Sequence, residues 1–189
     1  MLRKEIKQKL LSLSTRERAH LDLQVSLNLK KLLTTLGFIQ MKKLIGCFAP
    51  FENEPDWKSS FRNGREFSKA LDDLSAYPTF ENEKMLFKLS KEKDLVLRND
   101  FKANICGPKD ESEKVLPEIF LVPGLAFGKD GERLGRGKGF YDHYLSQMNV
   151  TCIGVCFESQ LIENIPMEKF DYKMNYVVTD QKIYTIKKV

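Results

Sequence analysis

A short loop in which glycines alternate with basic residues constrains this chain more than any other feature. Residues 133–139 follow an apolar, strand-like stretch at 119–122 and precede a segment of helical character at 140–148. Glycine lacks a Cβ, so its backbone N–H groups can turn toward one point, and the intervening cations face the same small volume. The glycines are Gly135, Gly137 and Gly139, and the cations are Arg133, Arg136 and Lys138.

A glycine-rich loop that leads into a helix N-terminus forms a site for a polyanion, and the phosphates of a nucleotide fit it best. The spacing is neither that of a Walker A loop nor that of the dinucleotide-binding Gly-x-Gly-x-x-Gly fingerprint. Taken alone, a Gly-x-Gly-x-Gly run is equally compatible with a solvated surface turn. The three cations within residues 133–138 favour the phosphate site, because they repel one another unless an anion lies among them.

The alternation of apolar and amphipathic segments predicts an α/β fold. We expect residues 1–189 to form a single domain, a Rossmann-like three-layer sandwich with a mostly parallel sheet flanked by helices. Ligands of such sheets bind at the carboxyl ends of the strands, where the glycine loop lies. The charged stretch 90–116 is expected to be a loop. The expected strands are 44–49, 77–80, 84–89, 119–122, 151–157 and 176–179, and the expected helices are 2–13, 15–36 and 140–148.

Length and composition fit a small enzyme that acts on anionic molecules. A chain of 189 residues with 42% hydrophobic residues is sufficient for one sizeable core. No apolar run is long enough to span a bilayer, and the charged N-terminus is unlike a signal peptide, so we expect a cytoplasmic protein. We also expect a monomer. The net charge of +5 suits anionic substrates, whereas the scattered lysines argue against a nucleic-acid partner.

The stretch from Val122 to Leu145 resembles the signature of the 5-formyltetrahydrofolate cyclo-ligase, or methenyltetrahydrofolate synthetase, family. That signature is Pro-Gly-x-x-Phe followed by Gly-x-Arg-Leu-Gly-x-Gly-x-Gly-Tyr-Tyr-Asp-x-Tyr-Leu, and Phe140 replaces its first tyrosine. The matching residues are Pro123, Gly124, Phe127, Gly131, Arg133, Leu134, Gly135, Gly137, Gly139, Tyr141, Asp142, Tyr144 and Leu145.

The resemblance implies a ligase that uses ATP and Mg²⁺. It would convert 5-formyltetrahydrofolate into 5,10-methenyltetrahydrofolate, release ADP and phosphate, and activate the formyl oxygen by phosphorylation. Its partners would be ATP, 5-formyltetrahydrofolate and the polyglutamates of that folate. Phosphoryl transfer needs positioning and charge neutralisation more than a protein nucleophile, and the chain offers cations and glycines.

Resemblance also implies which residues contact each substrate. Arg136, Lys138 and Tyr141 are the expected catalytic residues, since the two cations can stabilise charge on the transferred phosphoryl group. The residues expected to line the nucleotide are Arg133, Leu134, Gly135, Arg136, Gly137, Lys138, Gly139, Phe140 and Tyr141. Those expected to border the folate are Phe48, Ala49, Glu54, Arg136, Gly137, Lys138, Gly139 and Phe140. The alternative role of Arg133 is a structural salt bridge, and that of Phe48 and Ala49 is core packing.

The first helix of the family supplies a Lys-x-x-x-Arg pair to the ATP phosphates. Arg3 matches the arginine, the matching lysine would precede Met1, and Lys4 and Lys7 are the nearby substitutes. A solvated helix face is the alternative role of both lysines.

Glu54 follows the strand at 44–49 and matches a glutamate that binds the pterin ring in the family. A carboxylate suits the paired N–H donors of a pterin edge, although a glutamate in a surface loop would look the same from sequence. For magnesium, the resemblance implies Asp142 and, where the family has a second aspartate, Asn175.

Two other classes of function remain open on sequence alone. One is a nucleotide-binding, kinase-like enzyme with another acceptor. The other is a non-catalytic nucleotide- or RNA-binding module of the same fold, which Asn175 and the absent lysine would allow.

Overall fold

A computed structural model of the chain describes residues 2–51, 53–61, 65–100, 103–168 and 171–187. Its helices are α1 (Leu2–Leu11), α2 (Thr15–Thr35), α3 (Arg65–Leu74) and α4 (Phe140–Leu145). The strands are β1 (Ile45–Gly46), β2 (Ser75–Glu81), β3 (Lys84–Leu89), β4 (Val96–Asp100), β5 (Ala103–Gly107), β6 (Lys114–Val115), β7 (Ile119–Pro123), β8 (Ala126–Phe127), β9 (Arg133–Leu134), β10 (Thr151–Val155), β11 (Tyr176–Val178) and β12 (Ile183–Thr185).

An eight-stranded sheet has the order β12-β11-β10-β7-β1-β2-β3-β6. Its five adjacent strands from β11 to β2 are parallel, and the outer strands β12, β3 and β6 each pair antiparallel with the preceding strand toward the centre. The predicted α/β fold with a mostly parallel sheet is therefore confirmed. The carboxyl ends of β1 and β7 lie at one edge of the sheet, so the segments that follow Gly46 and Pro123 meet there.

Helices cover both faces of the sheet because side chains alternate along each strand. Ile119 and Leu121 of β7 pack in one core with buried residues of α1, α2 and α3. Phe120 and Val122 of the same strand pack in a second core with Leu145 of α4. The result is the expected three-layer arrangement.

Helix α2 begins where the sequence places its start. Ser14 accepts a hydrogen bond from the Glu17 backbone N–H, and the Glu17 carboxylate accepts one from the Ser14 N–H at 2.9 Å. This reciprocal capping satisfies two backbone donors that a helix N-terminus otherwise leaves without a partner.

None of the helices in the described part of the chain is long and apolar enough to cross a membrane.

The prediction that residues 90–116 form a loop is wrong. This stretch contains β6 and the antiparallel hairpin β4–β5, in which Leu97 lies opposite Cys106. Leu97 is largely exposed, so the hairpin lacks the buried apolar face that makes a strand recognisable in sequence. The hairpin also contributes to a cavity beside the glycine loop, because Ile105 and Cys106 of β5 line that cavity.

Close packing at the centre of the sheet gives a first testable prediction. A Cβ added at Gly154 on β10 would clash with a ring carbon of Phe127, which is fully buried. Gly154→Ala should therefore lower the free energy of unfolding by about 1–3 kcal/mol, as overpacking of a core does. Urea denaturation measures this loss. A change below about 0.5 kcal/mol, the usual range of a surface substitution, would show that the Phe127 ring moves freely.

Candidate functional site

The glycine loop adopts the backbone geometry that its sequence requires. Gly137 has a φ of +99° and Gly139 a φ of +66°, and Gly139 is the residue before the first turn of α4. Residues with a Cβ are strained in this region of φ, so glycine permits the sharp entry into the helix. The loop thereby presents its backbone to two adjoining cavities.

The first, which we call the apolar cavity, has a volume of about 250 Å³ and lies at the carboxyl ends of β1 and β7. Its charged groups are few and come from Glu54, Arg133, Arg136 and Lys138. The rings of Phe80 and Phe140 lie 4.7 Å apart on its wall. A cavity that combines aromatic walls with a few convergent polar groups is typical of a site for a ring-containing ligand. The rest of its lining is Phe48, Ala49, Phe51, Pro78, Met85, Ile105, Cys106, Pro123, Gly124, Gly135, Gly139 and Tyr141.

The second, which we call the charged cavity, has a volume of about 230 Å³. Arg3 reaches it from α1 and donates from Nε to the Gly135 carbonyl over 3.3 Å. Its acidic side chains are Asp142, Glu168 and Asp171. Arg133, Gly135 and Gly139 line both cavities, so a ligand in one cavity can contact a ligand in the other along the glycine loop.

Glu54 is a buried carboxylate in the wall of the apolar cavity. Its Oε1 accepts from Arg136 Nε at 3.2 Å and from Arg136 Nη2 at 3.1 Å, and its Oε2 accepts from the Phe51 N–H at 3.0 Å. The Arg18 guanidinium of α2 donates to the Glu54 carbonyl at 2.8 Å and so fixes the segment. The surface-loop alternative for Glu54 is excluded, because the residue is only 8% exposed.

Arg133 is a buried cation whose guanidinium donates hydrogen bonds to other groups of the protein. Its Nη1 donates to the Pro123 carbonyl at 3.2 Å, and its Nη2 donates to Asp142 Oδ2 at 2.6 Å. The side chain is 6% exposed, and Nε is buried with no hydrogen-bond partner in the described part of the chain. These contacts match the alternative role of a structural salt bridge, although Arg133 still lines both cavities.

Tyr141 lies beside this ion pair, with its ring 5.6 Å from the Arg133 guanidinium carbon. Burial, and then the negative charge of Glu54, raise the pKa of the Tyr141 phenol above its ordinary value. The hydroxyl therefore keeps its proton at neutral pH and is available as a hydrogen-bond donor to an oxygen in the apolar cavity.

Lys138 is an exposed lysine on the rim of the apolar cavity. Its ammonium has no ion-pair partner among residues that the structure describes. It is therefore available to an anionic ligand, unlike Arg133.

The structure does not bring every predicted site residue to the cavities. Lys4 and Lys7 are exposed on α1, and neither lines a cavity that Arg3 reaches. Asn175 lies opposite Cys152 at the amino end of β10, and its Oδ1 accepts from the Cys152 N–H at 2.8 Å. Asn175 is not among the residues that line the charged cavity with Asp142, where Glu168 and Asp171 are found instead.

Sequence reasoning missed several residues that shape the site. Phe51 lies under the Arg136 guanidinium, 5.0 Å from it, and Arg18 holds the Glu54 segment. The arginine-rich start of α2 gave no signal, since Arg18 is distant in sequence from both cavities. Ile105 and Cys106 were missed because their hairpin was expected to be a loop.

Comparisons with known proteins agree with this architecture. Residues 1–180 match the model of the 5-formyltetrahydrofolate cyclo-ligase family. The 5-formyltetrahydrofolate cyclo-ligase of Mus musculus is 30% identical over an alignment of 193 residues, and the alignment covers 94% of this chain and 91% of the mouse protein. The enzyme of the same name from Mycoplasma pneumoniae is 30% identical over 182 residues, covering 95% and 97%.

Two solved structures have the same fold. An NMR structure of Aquifex aeolicus 5,10-methenyltetrahydrofolate synthetase is similar with a TM-score of 0.76 and 25% identity, covering 100% of this chain and 95% of that one. A 5,10-methenyltetrahydrofolate synthetase from Mycoplasma pneumoniae is similar with a TM-score of 0.71 and 26% identity, covering 95% and 96%.

Proposed function

Because this chain belongs to the 5-formyltetrahydrofolate cyclo-ligase family, we propose that it converts 5-formyltetrahydrofolate into 5,10-methenyltetrahydrofolate at the expense of ATP. The observation that carries the proposal is the wall that the two cavities share. One cavity is aromatic and the other is charged, and Arg133, Gly135 and Gly139 line both. Such an arrangement suits a phosphoryl transfer between two ligands that lie side by side.

The reaction proceeds in two steps. The formyl oxygen attacks the γ-phosphorus of ATP, a new O–P bond forms, and the bond to the leaving ADP oxygen breaks. The second folate nitrogen then attacks the activated formyl carbon and loses its proton, and the C–O bond breaks to release phosphate. Neither step needs a protein nucleophile, so positioning and charge neutralisation supply the catalysis.

Arg136 and Lys138 stabilise the charge on the transferred phosphoryl group. Arginine can donate to two phosphoryl oxygens at once, and lysine acts as a point charge. The protonated Tyr141 hydroxyl donates a hydrogen bond in the same region. Arg133 orients Asp142 and Tyr141 from behind, in agreement with its burial and its 2.6 Å contact with the Asp142 carboxylate.

Folate occupies the apolar cavity. Its pterin ring packs against Phe140 and the segment that contains Phe48 and Ala49, and the pterin N–H donors bind the Glu54 carboxylate. ATP occupies the charged cavity, where Arg3 and the backbone of the glycine loop contact its phosphates. Lys4 and Lys7 are exposed on α1 and line neither cavity.

Magnesium would be held by Asp142 together with the phosphate oxygens of ATP. Asp142 lines the charged cavity, and although its Oδ2 is bound to Arg133, its Oδ1 accepts only a long bond of 3.5 Å from the Tyr172 N–H, so one oxygen can serve the ion. Mg²⁺ usually keeps several waters and needs only one or two protein carboxylates. No group of three or more His, Cys, Asp or Glu side chains poised to hold a metal occurs among the described residues, so the phosphates would supply the other charged ligands. When bound, the ion neutralises phosphate charge. Asp171 and Glu168 are better candidates than Asn175 for a second carboxylate or amide ligand.

Polyglutamylated folates are the proposed natural substrates, because the net charge of +5 favours anionic ligands. We further propose that residues 1–189 act as a single domain and as a monomer in the cytoplasm.

The growth of the methenyl chromophore tests this function. Protein, Mg-ATP and 5-formyltetrahydrofolate together should produce it, and omission of ATP, magnesium or folate should abolish it. Release of ADP that does not depend on folate would instead indicate a kinase-like enzyme with another acceptor. Absence of turnover together with tight RNA binding would indicate a non-catalytic module.

A further inference from the structure

Two residues assigned to different substrates contact each other directly. Arg136, proposed for the phosphoryl group, donates twice to Oε1 of Glu54, which is proposed for the pterin. The two residues are far apart in the chain, one on the segment after β1 and the other in the glycine loop. Their side chains are 9% and 33% exposed for Glu54 and Arg136, so water screens the ion pair only in part.

Further contacts hold Arg136 against the segment that carries Glu54. Its Nη2 also donates to the Phe51 carbonyl at 3.3 Å, and its guanidinium lies over the Phe51 ring. The same segment is fixed from behind by Arg18. Arg136 is therefore the moving partner of this pair, since the partially exposed guanidinium can leave while the Glu54 segment stays in place.

The Glu54 carboxylate cannot serve Arg136 and a pterin edge equally well. A carboxylate offers about four acceptor positions on its two oxygens. Both of the bonds that Arg136 makes to the Glu54 carboxylate fall on Oε1, and the Phe51 N–H takes a position on Oε2. A pterin edge presents two adjacent N–H donors and needs both oxygens, so its approach weakens the bonds to Arg136.

We propose that the Glu54–Arg136 ion pair couples folate binding to nucleotide binding. Without folate, Glu54 holds Arg136 away from the nucleotide phosphates. When the pterin binds the Glu54 carboxylate, Arg136 becomes available to the phosphoryl oxygens, so folate strengthens nucleotide binding. ATP that binds without folate lacks the contact with Arg136 and is therefore poorly positioned for hydrolysis. This inference rests on the proposed function, and it adds an order of events to it.

Thermodynamic linkage requires the effect to be reciprocal, so the nucleotide must strengthen folate binding by the same factor. Couplings between two sites are commonly 5- to 150-fold, and we expect about tenfold here. Bound pterin takes the Glu54 carboxylate from Arg136, and bound phosphate takes Arg136 from Glu54. Each ligand therefore frees the side chain that the other ligand binds.

Calorimetric titration of the full chain with a non-hydrolysable Mg-ATP analogue, with and without saturating 5-formyltetrahydrofolate, tests the coupling. In the wild type, folate should raise nucleotide affinity about tenfold. In Glu54→Gln the charge that holds Arg136 is lost, so nucleotide affinity without folate should rise close to the folate-saturated wild-type value. Glu132→Gln is the matched control: its carboxylate pairs with Lys173 at 3.3 Å and lines neither cavity, so it should behave as the wild type.

A merely structural role for Glu54 predicts the opposite sign, because a damaged site binds nucleotide more weakly. The proposal is overturned if Glu54→Gln loses nucleotide affinity or keeps the tenfold response to folate. Arg136→Lys supplies a second test, because lysine keeps the positive charge but cannot make both hydrogen bonds of the guanidinium. In this variant, folate should raise nucleotide affinity by less than about twofold. Thermal unfolding of each variant confirms its fold. Chromophore formation by the wild type, measured in parallel, reports on the proposed function separately.

Discussion

Alanine at Arg136 or at Lys138 is expected to lower kcat by about 100- to 1,000-fold, the usual effect of removing one preorganised charge donor from a transition state. Both residues line the apolar cavity beside the glycine loop. Lys138 is exposed, so its replacement should leave the free energy of unfolding unchanged. Initial rates of methenyl formation at saturating substrates measure the loss.

Lys129→Ala is the control for this pair. Lys129 is an exposed lysine in the same glycine-rich stretch and lines neither cavity, so its removal should change kcat by less than about twofold, as is usual for surface substitutions. Near-normal rates in both Arg136→Ala and Lys138→Ala would show that the loop is only structural.

Arg133→Met is expected to lower the free energy of unfolding by up to about 3–5 kcal/mol, because it leaves the partly buried Asp142 carboxylate without its counter-charge. Arg133 and Asp142 are 6% and 16% exposed, and the Pro123 carbonyl would lose its donor at the same time. Urea denaturation measures the change.

Lys173→Met gives the matched comparison for Arg133. Lys173 also pairs with a carboxylate, that of Glu132, but its side chain is 52% exposed, so the loss should be at most about 1 kcal/mol. A loss below about 1 kcal/mol for Arg133→Met would contradict the structural role, and Arg133 would return to the set of phosphate ligands.

The sequence predicted the main elements of the fold because their patterns are local. The capping residues Ser14 and Glu17 mark the start of α2, and continuous apolar runs mark β7 and β10. The hairpin β4–β5 was missed because its exposed Leu97 breaks the apolar alternation on which such a prediction depends. Strand β12 was missed for a similar reason, since Ile183 and Tyr184 are only half-buried.

The sequence indicated which residues belong to the site, but not which of them form ion pairs with one another. The sequence of the glycine loop determines which cations lie beside its backbone, and Glu54 and Arg136 line the same cavity. Which cation meets which carboxylate depends on tertiary contacts: Arg133 meets Asp142, and Arg136 meets Glu54 across the site. Asn175 matched a position in the family pattern, but its amide oxygen accepts from the Cys152 N–H of β10, a tertiary contact that the sequence does not reveal.

The central claim is that folate and ATP lie side by side along the glycine loop. A crystal structure of the protein with 5-formyltetrahydrofolate and a non-hydrolysable Mg-ATP analogue tests it most directly. The account predicts the pterin against Glu54 in the apolar cavity, the triphosphate against Gly137 and Arg3, and the formyl oxygen about 3–3.5 Å from the γ-phosphorus. A nucleotide bound elsewhere, or a formyl group turned away from the γ-phosphate, would contradict it.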